Sequence, residues 1–268
     1  IKFITPNFKA CMSSISQLLK ENNPHEDILA IAGSLGEKEN IPTYIVGGYV
    51  RDTLLGKSCK DIDIMVEGDG VAFAKKLARE LKVNVTVDYD KFGTAMIPYP
   101  DVEIEVATAR IEKYRSDSRK PEVTSSTIEE DMSRRDFTIN AIAASLLPSS
   151  FGELYDPFGG IKDLQKGLII TPLDPDETFS DDPLRMLRAV RFAAQLEYDV
   201  ASTILESISR NINRLEIVSW ERIRDEIIKS LTTNKPSIAF YLMKETGLLT
   251  HVFPEMDIMS GVETINGM

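Results

Sequence analysis

The chain has 268 residues, 43% of them hydrophobic, and a formal net charge of −11 from 31 basic and 42 acidic side chains. That is enough apolar material for one large domain or two to three small ones, and it excludes a chain disordered throughout. The acidic balance excludes nonspecific coating of nucleic acid but leaves room for a local basic cleft, because affinity for phosphate depends on where Lys and Arg sit. No apolar run reaches membrane-spanning length and no charged-then-apolar leader opens the chain, so the reading is a soluble, cytoplasmic protein with no membrane partner. Cys11 and Cys59 belong to no metal-type cluster and read as free thiols in a reducing compartment, and His25 and His251 are too scattered for a histidine metal site. The chain opens at Ile1 rather than Met and stops at Met268, as a piece of a longer protein would.

In chain order, residues 8–20 and 27–38 read as a helical lead-in. TYIVGG is a short apolar strand ending in two glycines, followed by a helix from about Tyr49 to Leu55. DIDIMV (61–66) alternates acid and apolar residues, the period of a half-buried strand. Val71, Phe73, Ala74, Leu77, Ala78 and Leu81 recur at helical spacing across 70–81. Strands follow at 83–88, 93–98 and 102–107, and the polar, unperiodic stretch 112–125 reads as a loop. Thr127 with Glu130 three residues on forms a capping-box pattern that starts a short helix. DPFGG (156–160) is a turn-rich joint, after which helices are expected at 183–197, 200–213, 219–231 and 236–246. The architecture is therefore an α/β part, with a mixed sheet and flanking helices, joined to an almost all-helical part.

Asp61 and Asp63 stand two apart on one strand and share a face, with Ile62 and Ile64 on the other. In VEIEVA, Glu103 and Glu105 share a face in the same way. Hard carboxylates at this spacing suit Mg2+ or Mn2+, and if the two strands are neighbours three acids converge in a way that suits two-metal phosphoryl transfer. The same alternation also fits the solvated face of two amphipathic strands. Gly47 and Gly48 lie between a strand and a helix, where bare backbone N–H groups approach an anion, and Arg51 sits in the first helical turn within reach of the same anion. An ordinary strand-to-helix turn with a surface Arg has the same pattern. Neither a P-loop nor a dinucleotide fingerprint is present.

Five motifs then occur in order: GGYVRDTLLGKSCKDIDI, RRDFTINAIA, DPFGGIKDL, DDPLRMLRAVRFA and ERIRDEIIKSL. Together they resemble the motifs of the class II CCA-adding enzymes and bacterial poly(A) polymerases, within the polymerase-beta-like nucleotidyltransferase superfamily, over roughly residues 41–231. The resemblance implies a nucleotidyltransferase head (1–156), an all-α neck (157–235) that selects the nucleotide and the start of a helical body (236–268). It implies metal ligation by Asp61 and Asp63, with Glu105 rather than Glu103 as third carboxylate because EVATAR matches the family's stretch. It also implies phosphate or ribose contacts at Gly48, Arg51 and Arg135, with Asp136 and Asn140 close to the sugar, DPFGG as the hinge and 112–125 as the family's flexible loop. Substrates would be CTP and ATP, and the partner tRNA.

The resemblance assigns selection of the base to Asp182 and Arg185, with Arg188 and Arg191 as further nucleotide contacts. The chemistry is intelligible. Cytosine and adenine each present an amine donor beside a ring-nitrogen acceptor, whereas uracil and guanine present a carbonyl beside an N–H. A carboxylate that only accepts, paired with a guanidinium that only donates, fits the first pair and mismatches the second. From spacing alone, Asp182 before Pro183 reads first as a helix cap, and Arg188 and Arg191 fit solvated side chains; the run of five motifs reverses that preference. Asp181 stands where many members carry Glu, which shortens its reach. ERIRDEIIKSL reads as packing that braces the 183–197 helix, with Ile223, Ile227, Ile228 and Leu231 and the single Trp, Trp220, in the core, and with Arg222 or Arg224 as a buttress. Arg110, Lys113, Arg115, Arg119, Lys120 and the arginines of the 183–197 helix gather where RNA would pass, although such runs are often only solvated. HVFPEMDIMSGVETING resembles the approach to a metal-binding HD domain, but no His-Asp pair follows. Rival readings are a poly(A) polymerase, which a basic N-terminal arm would favour, an enzyme adding only CC or only A, a small-molecule nucleotidyltransferase, and a silent RNA-binding module, which the clustered acids argue against.

Overall fold

A computed structural model describes residues 13–21, 23–59, 61–83, 87–89, 93–113 and 122–259. The described residues divide into two compact units, one running up to Leu164 and the other starting at Gln165.

The first unit opens with α1 (Ser16–Lys20) and α2 (Glu26–Glu39), then β1 (Thr43–Val46), α3 (Gly48–Leu54), β2 (Asp61–Val66), α4 (Gly70–Glu80), β3 (Val87–Tyr89), β4 (Thr94–Tyr99) and β5 (Val102–Thr108). It continues through β6 (Arg110–Lys113), β7 (Glu122–Ser125), α5 (Ile128–Ser133), β8 (Ala143–Ser145), β9 (Leu154–Tyr155) and α6 (Gly160–Lys166). A seven-stranded mixed sheet runs in the order β3-β4-β5-β2-β1-β8-β9. Its one parallel pair is β2 with β5, and the connection through α4, β3 and β4 is the long crossover that a parallel pair requires. Alternation then sorts the side chains. Ile62, Ile64, Ile104 and Val106 are buried with Phe73 and Leu77 of α4 in the core. On the acid-bearing face the far end of β2 is closed by an apolar cluster of Val46, Met65, Ala109, Ile128, Met132, Ala141 and Ala143. Polar and apolar ends of one sheet face are thereby separated.

The capping box at Thr127 and Glu130 is present and starts α5. Three expectations change in this unit. Only Ser16–Lys20 of the 8–20 helix is helical among the described residues, because Ser13 and Ile15 pair their backbone with Leu154 and Gly152 instead. Of the expected 83–88 strand, Val87 and Asp88 lie in β3, the Val83 N–H instead closes the end of α4 on the Ala78 carbonyl, and 84–86 lie outside the described residues. The expected loop 112–125 contains parts of an antiparallel hairpin, β6 with β7, whose ladder of backbone bonds needs no apolar alternation. Strands β8 and β9 were not among the expected elements.

The second unit contains β10 (Leu168–Ile169), α7 (Pro175–Asp181), α8 (Leu184–Leu196), β11 (Asp199–Val200), α9 (Ser202–Asn211), α10 (Trp220–Leu231), α11 (Pro236–Thr246), α12 (Leu248–Val252) and α13 (Pro254–Ile258). β10 and β11 form a two-residue parallel ladder within otherwise helical structure. Helix α8 is central, with Met186, Leu187, Ala189, Val190 and Ala193 fully buried and α10 and α11 packed on it. Helix α10 turns inward the stripe of Ile223, Glu226, Ile227 and Ser230. Ile228, Leu231 and Trp220, expected in the core, are instead 51%, 52% and 58% exposed. Periodicity alone misassigned them, because the inward stripe carries a charge and a hydroxyl, so counting apolar positions rotates the helix wrongly. Among the described residues no helix is long and apolar enough to cross a membrane.

Candidate active site

The register of β2 on β5 sets Asp61 beside Glu103 and Asp63 beside Glu105. The four acids therefore share one face of two adjacent strands, as the alternation predicted. Asp61, Glu103 and Glu105 are exposed and Asp63 is half-buried. Burial pushes the Asp63 carboxyl above the ordinary carboxylate range. The Arg135 guanidinium opposes that shift, Asp61 adds to it, and Arg51 opposes it again. Among the described residues no three acidic, histidine or cysteine side chains stand close enough to enclose an ion by themselves. The donor set nevertheless fits a hard divalent cation. It offers carboxylate oxygens, and one of the carboxylates is desolvated and beside another of like charge, which is the charge deficit a cation offsets.

Gly47 precedes α3 at φ 67° and ψ −128°, a backbone conformation that a side chain strongly disfavours. The special position is thus Gly47, whereas Gly48, the expected anion contact, begins the helix with ordinary room for a Cβ. One turn on, Arg51 is 5% exposed and turned inward. Its Nε and Nη2 donate to the two oxygens of Asp52 at 2.8 and 2.9 Å, and its Nη1 donates to Asn140 Oδ1 at 2.7 Å. Asn140 in turn donates through Nδ2 to Asp136 Oδ1 at 3.0 Å, and that oxygen also accepts the Phe137 N–H at 2.8 Å. Arg135 reaches the Asn140 carbonyl at 3.4 Å and Asp131 Oδ2 at 3.4 Å. Sequence segments far apart, GGYVRD and RRDFTIN, are thus joined in one buried chain of polar contacts beside Asp63. The Asp52 and Asn140 links to Arg51 were not anticipated. A buried arginine needing acceptors was the available signal.

At the DPFGG joint, Asp156 accepts the N–H groups of Gly160 and Ile161 at 2.7 and 3.0 Å and so caps α6. A Cβ on Gly160 would stand 2.1 Å from the Thr138 carbonyl oxygen, which explains a glycine there. Cys59 is a free thiol, its pKa pushed up to about 11 chiefly by burial. Cys11, Arg115, Arg119 and Lys120, and the side chains of Arg110 and Lys113, lie outside the described part.

In the second unit Asp182 does not sit on a helix. It flanks the end of α7 at φ −140° and ψ 101°, because the following Pro183 disfavours helical backbone in the residue before it. A turn, rather than helical spacing, brings it to Arg185, whose N–H donates to the Asp182 carbonyl at 3.0 Å. The Asp182 carboxylate does cap α8: its Oδ1 accepts the Leu184 N–H at 3.2 Å. Its Oδ2 accepts from Arg222 Nη2 at 2.8 Å. Arg185 Nη1 donates to the Thr178 carbonyl at 3.4 Å. Asp181 ends α7 and is exposed. Arg191 is 8% exposed and donates through Nε to Glu226 Oε2 at 2.6 Å and through Nη1 to Gln195 Oε1 at 2.7 Å. Arg188, half-buried, lies 3.8 Å from Glu226 Oε1. The structure thus separates two arginines that spacing alone treats alike: Arg191 is held internally, whereas Arg188 keeps a more open side. Glu226, 3% exposed, was not among the expected residues. Of the two expected buttresses, Arg222 reaches α8's flank and Arg224 pairs with its neighbour Asp225.

Residues 43–170 match the family described as the poly A polymerase head domain, and residues 197–259 match the probable RNA and SrmB-binding site of polymerase A. The A-adding tRNA nucleotidyltransferase of Geobacter sulfurreducens is 36% identical over 237 residues, covering 87% of this chain and 26% of the relative. The solved Thermotoga maritima CCA-adding enzyme complexed with tRNA has a TM-score of 0.79 and 36% identity, covering 90% of this chain and 56% of that one. Structures of a CCA-adding enzyme with ATP and with CTP each have a TM-score of 0.77 and 36% identity, again over 90% of this chain and 56% of the other. The chain therefore spans about a quarter of the length of that curated relative and just over half of the solved ones.

Proposed function

From the chain's membership of the class II CCA-adding enzyme and bacterial poly(A) polymerase family, we propose that it is a cytoplasmic tRNA nucleotidyltransferase that adds CCA to the tRNA 3′ end from CTP and ATP. The observation that carries the reading is the strand register that sets Asp63 beside Glu105, with Asp61 on the same face. Asp61 and Asp63 would hold Mg2+ or Mn2+, with Glu105 adjacent. When bound, the ion supplies Lewis-acid activation of the attacking hydroxyl and charge support for the leaving pyrophosphate. The chain's own part is positional. Gly47 bends the backbone so that the start of α3 faces the triphosphate. Arg51 and Arg135 bring positive charge beside Asp63, and Asn140 and Asp136 hold Arg51 in place next to the ribose.

Base selection falls to Asp182 and Arg185, with Arg188 as a further contact. Each carboxylate oxygen has a second lone pair, so Asp182 can accept from an exocyclic amine while it also caps α8. Resemblance to an A-adding relative supports a second reading, addition of the terminal A alone. The experiment supplies the full-length protein with tRNAs ending before CCA, after C and after CC, with each nucleotide, and sequences the products. CCA addition predicts completion of all three ends. Growth of the CC end alone would replace the reading with A addition, and long A tracts would replace it with poly(A) synthesis. Asp182→Asn tests selection in the same assay. Asn caps a helix about as well as Asp, so stability should hold while discrimination against UTP and GTP falls about ten- to a hundredfold. A stable Asp182→Asn enzyme with unchanged preference would place selection elsewhere.

A further inference from the structure

Asp182 is the residue on which the proposed selection depends, yet it stands on a turn with its side chain 30% exposed. A carboxyl group rotates about its last bond with broad preference, and a freely turning carboxylate reads a base edge poorly. Here the two oxygens are held from two directions, Oδ1 by the Leu184 N–H at 3.2 Å and Oδ2 by Arg222 Nη2 at 2.8 Å. The first hold belongs to Asp182's own turn. The second comes from α10, 40 residues along the chain.

Arg222 is aimed by the next turn of α10. Glu226, four residues on and on the same face, is buried against Arg191 at 2.6 Å and lies 3.8 Å from Arg188. That buried pair fixes the rotation of α10 against α8. The charge order of α10 is thereby the inverse of the selection row: a cation meets Asp182, and an anion meets Arg188 and Arg191. Arg224, two residues from Arg222, points elsewhere and pairs with Asp225 at 2.9 Å. Arg222 itself is 53% exposed. An ion pair so exposed contributes little to stability, so support of the fold does not account for its placement.

We propose that Arg222 is a specificity-positioning residue: by holding Asp182 Oδ2 it fixes the plane of the carboxylate and leaves the second lone pair of that oxygen directed at the amine of C or A. Arg222 acts through Asp182 and touches no reacting atom. The inference rests on the selection role proposed for Asp182.

The test compares Arg222→Ala, Arg222→Lys, Asp182→Asn and the Arg222→Ala/Asp182→Asn double variant in the full-length protein. kcat/KM is measured for CTP, ATP, UTP and GTP, together with thermal unfolding. Arg222→Ala should lower the preference for C and A over U and G by about three- to tenfold with the thermal midpoint nearly unchanged. Arg222→Lys should recover part of it, because an ammonium still donates but without the planar fork. The double variant should discriminate no worse than Asp182→Asn alone, since Arg222 has no other route to the base. If Arg222→Ala keeps wild-type preference, or slows all four nucleotides equally, while Asp182→Asn loses preference, the role of Arg222 is overturned and selection by Asp182 stands. If both variants keep wild-type preference, selection by Asp182 is itself overturned.

Discussion

The charged cluster of the first unit and that of the second are built on opposite electrostatic plans. In the first, sheet register sets acid beside acid, Asp61 by Glu103 and Asp63 by Glu105, and burial pushes the Asp63 carboxyl upward against only partial relief from Arg135 and Arg51. In the second, each named charge meets its opposite: Asp182 meets Arg222, and Arg191 and Arg188 meet Glu226. A surplus of like charge of this kind is one that a bound cation would offset. Balanced pairing marks a place where side-chain orientation is the product. Strands suit the first plan because register forces neighbours together whatever their charge. Packed helices suit the second because a buried charge between them must be paired.

The largest expected effect tests the unbalanced cluster. Asp63→Asn should lower nucleotide incorporation by about a hundredfold or more and yet raise thermal stability at neutral pH in chelator. For an acid whose folded pKa is raised, the ionised form is disfavoured in the fold. The resulting cost is present above that pKa and is relieved as pH falls through it. Thermal unfolding in chelator decides the matter, and an Asn variant less stable than wild type would break the contrast between the units.

Next in size is the balanced cluster. Glu226→Gln leaves Arg191 buried without its counter-charge and should cost about 3–5 kcal/mol in denaturant unfolding. A loss below about 1 kcal/mol would mean that the pair is not what fixes α10. The smallest effect concerns Asp176, which Ser207, Arg210 and Asn211 hold below the ordinary carboxylate range, Ser207 most strongly. A lowered folded pKa contributes stability that is full above the ordinary value and is lost as pH falls through the lowered one. Asp176→Asn should therefore flatten the acid side of the stability profile, read by chemical denaturation from about pH 5 downward. An unchanged profile would show that this exposed network contributes nothing.

Much of the first unit is legible in the amino-acid sequence. The alternation in DIDIMV and VEIEVA placed the acids on one face because the side-chain period of a strand is two. The glycine pair located the turn, and Thr127 with Glu130 located the start of α5. Local chemistry settled these. The short strands β8 and β9 were not legible, since AAS and LY carry no alternation. Nor was the hairpin of β6 and β7, which is held by backbone bonds that every residue can make.

By itself the sequence determined the order of motifs, the acid faces, the two-part organisation and the charged row that starts at Asp182. Only the tertiary structure decided which strands are neighbours, that Arg51 faces inward to Asp52 and Asn140, and that Arg191 is held by Glu226 while Arg222 holds Asp182. Pro183 put Asp182 on a turn through a local rule, yet the side chain that steers its carboxylate came from another helix. Trp220 stayed exposed because α10 buries a glutamate and a serine instead. The physical reason is common to these cases. Periodicity reports which residues share a face, but the free energy of burying a charge depends on the partner it meets, and that partner lies elsewhere in the chain.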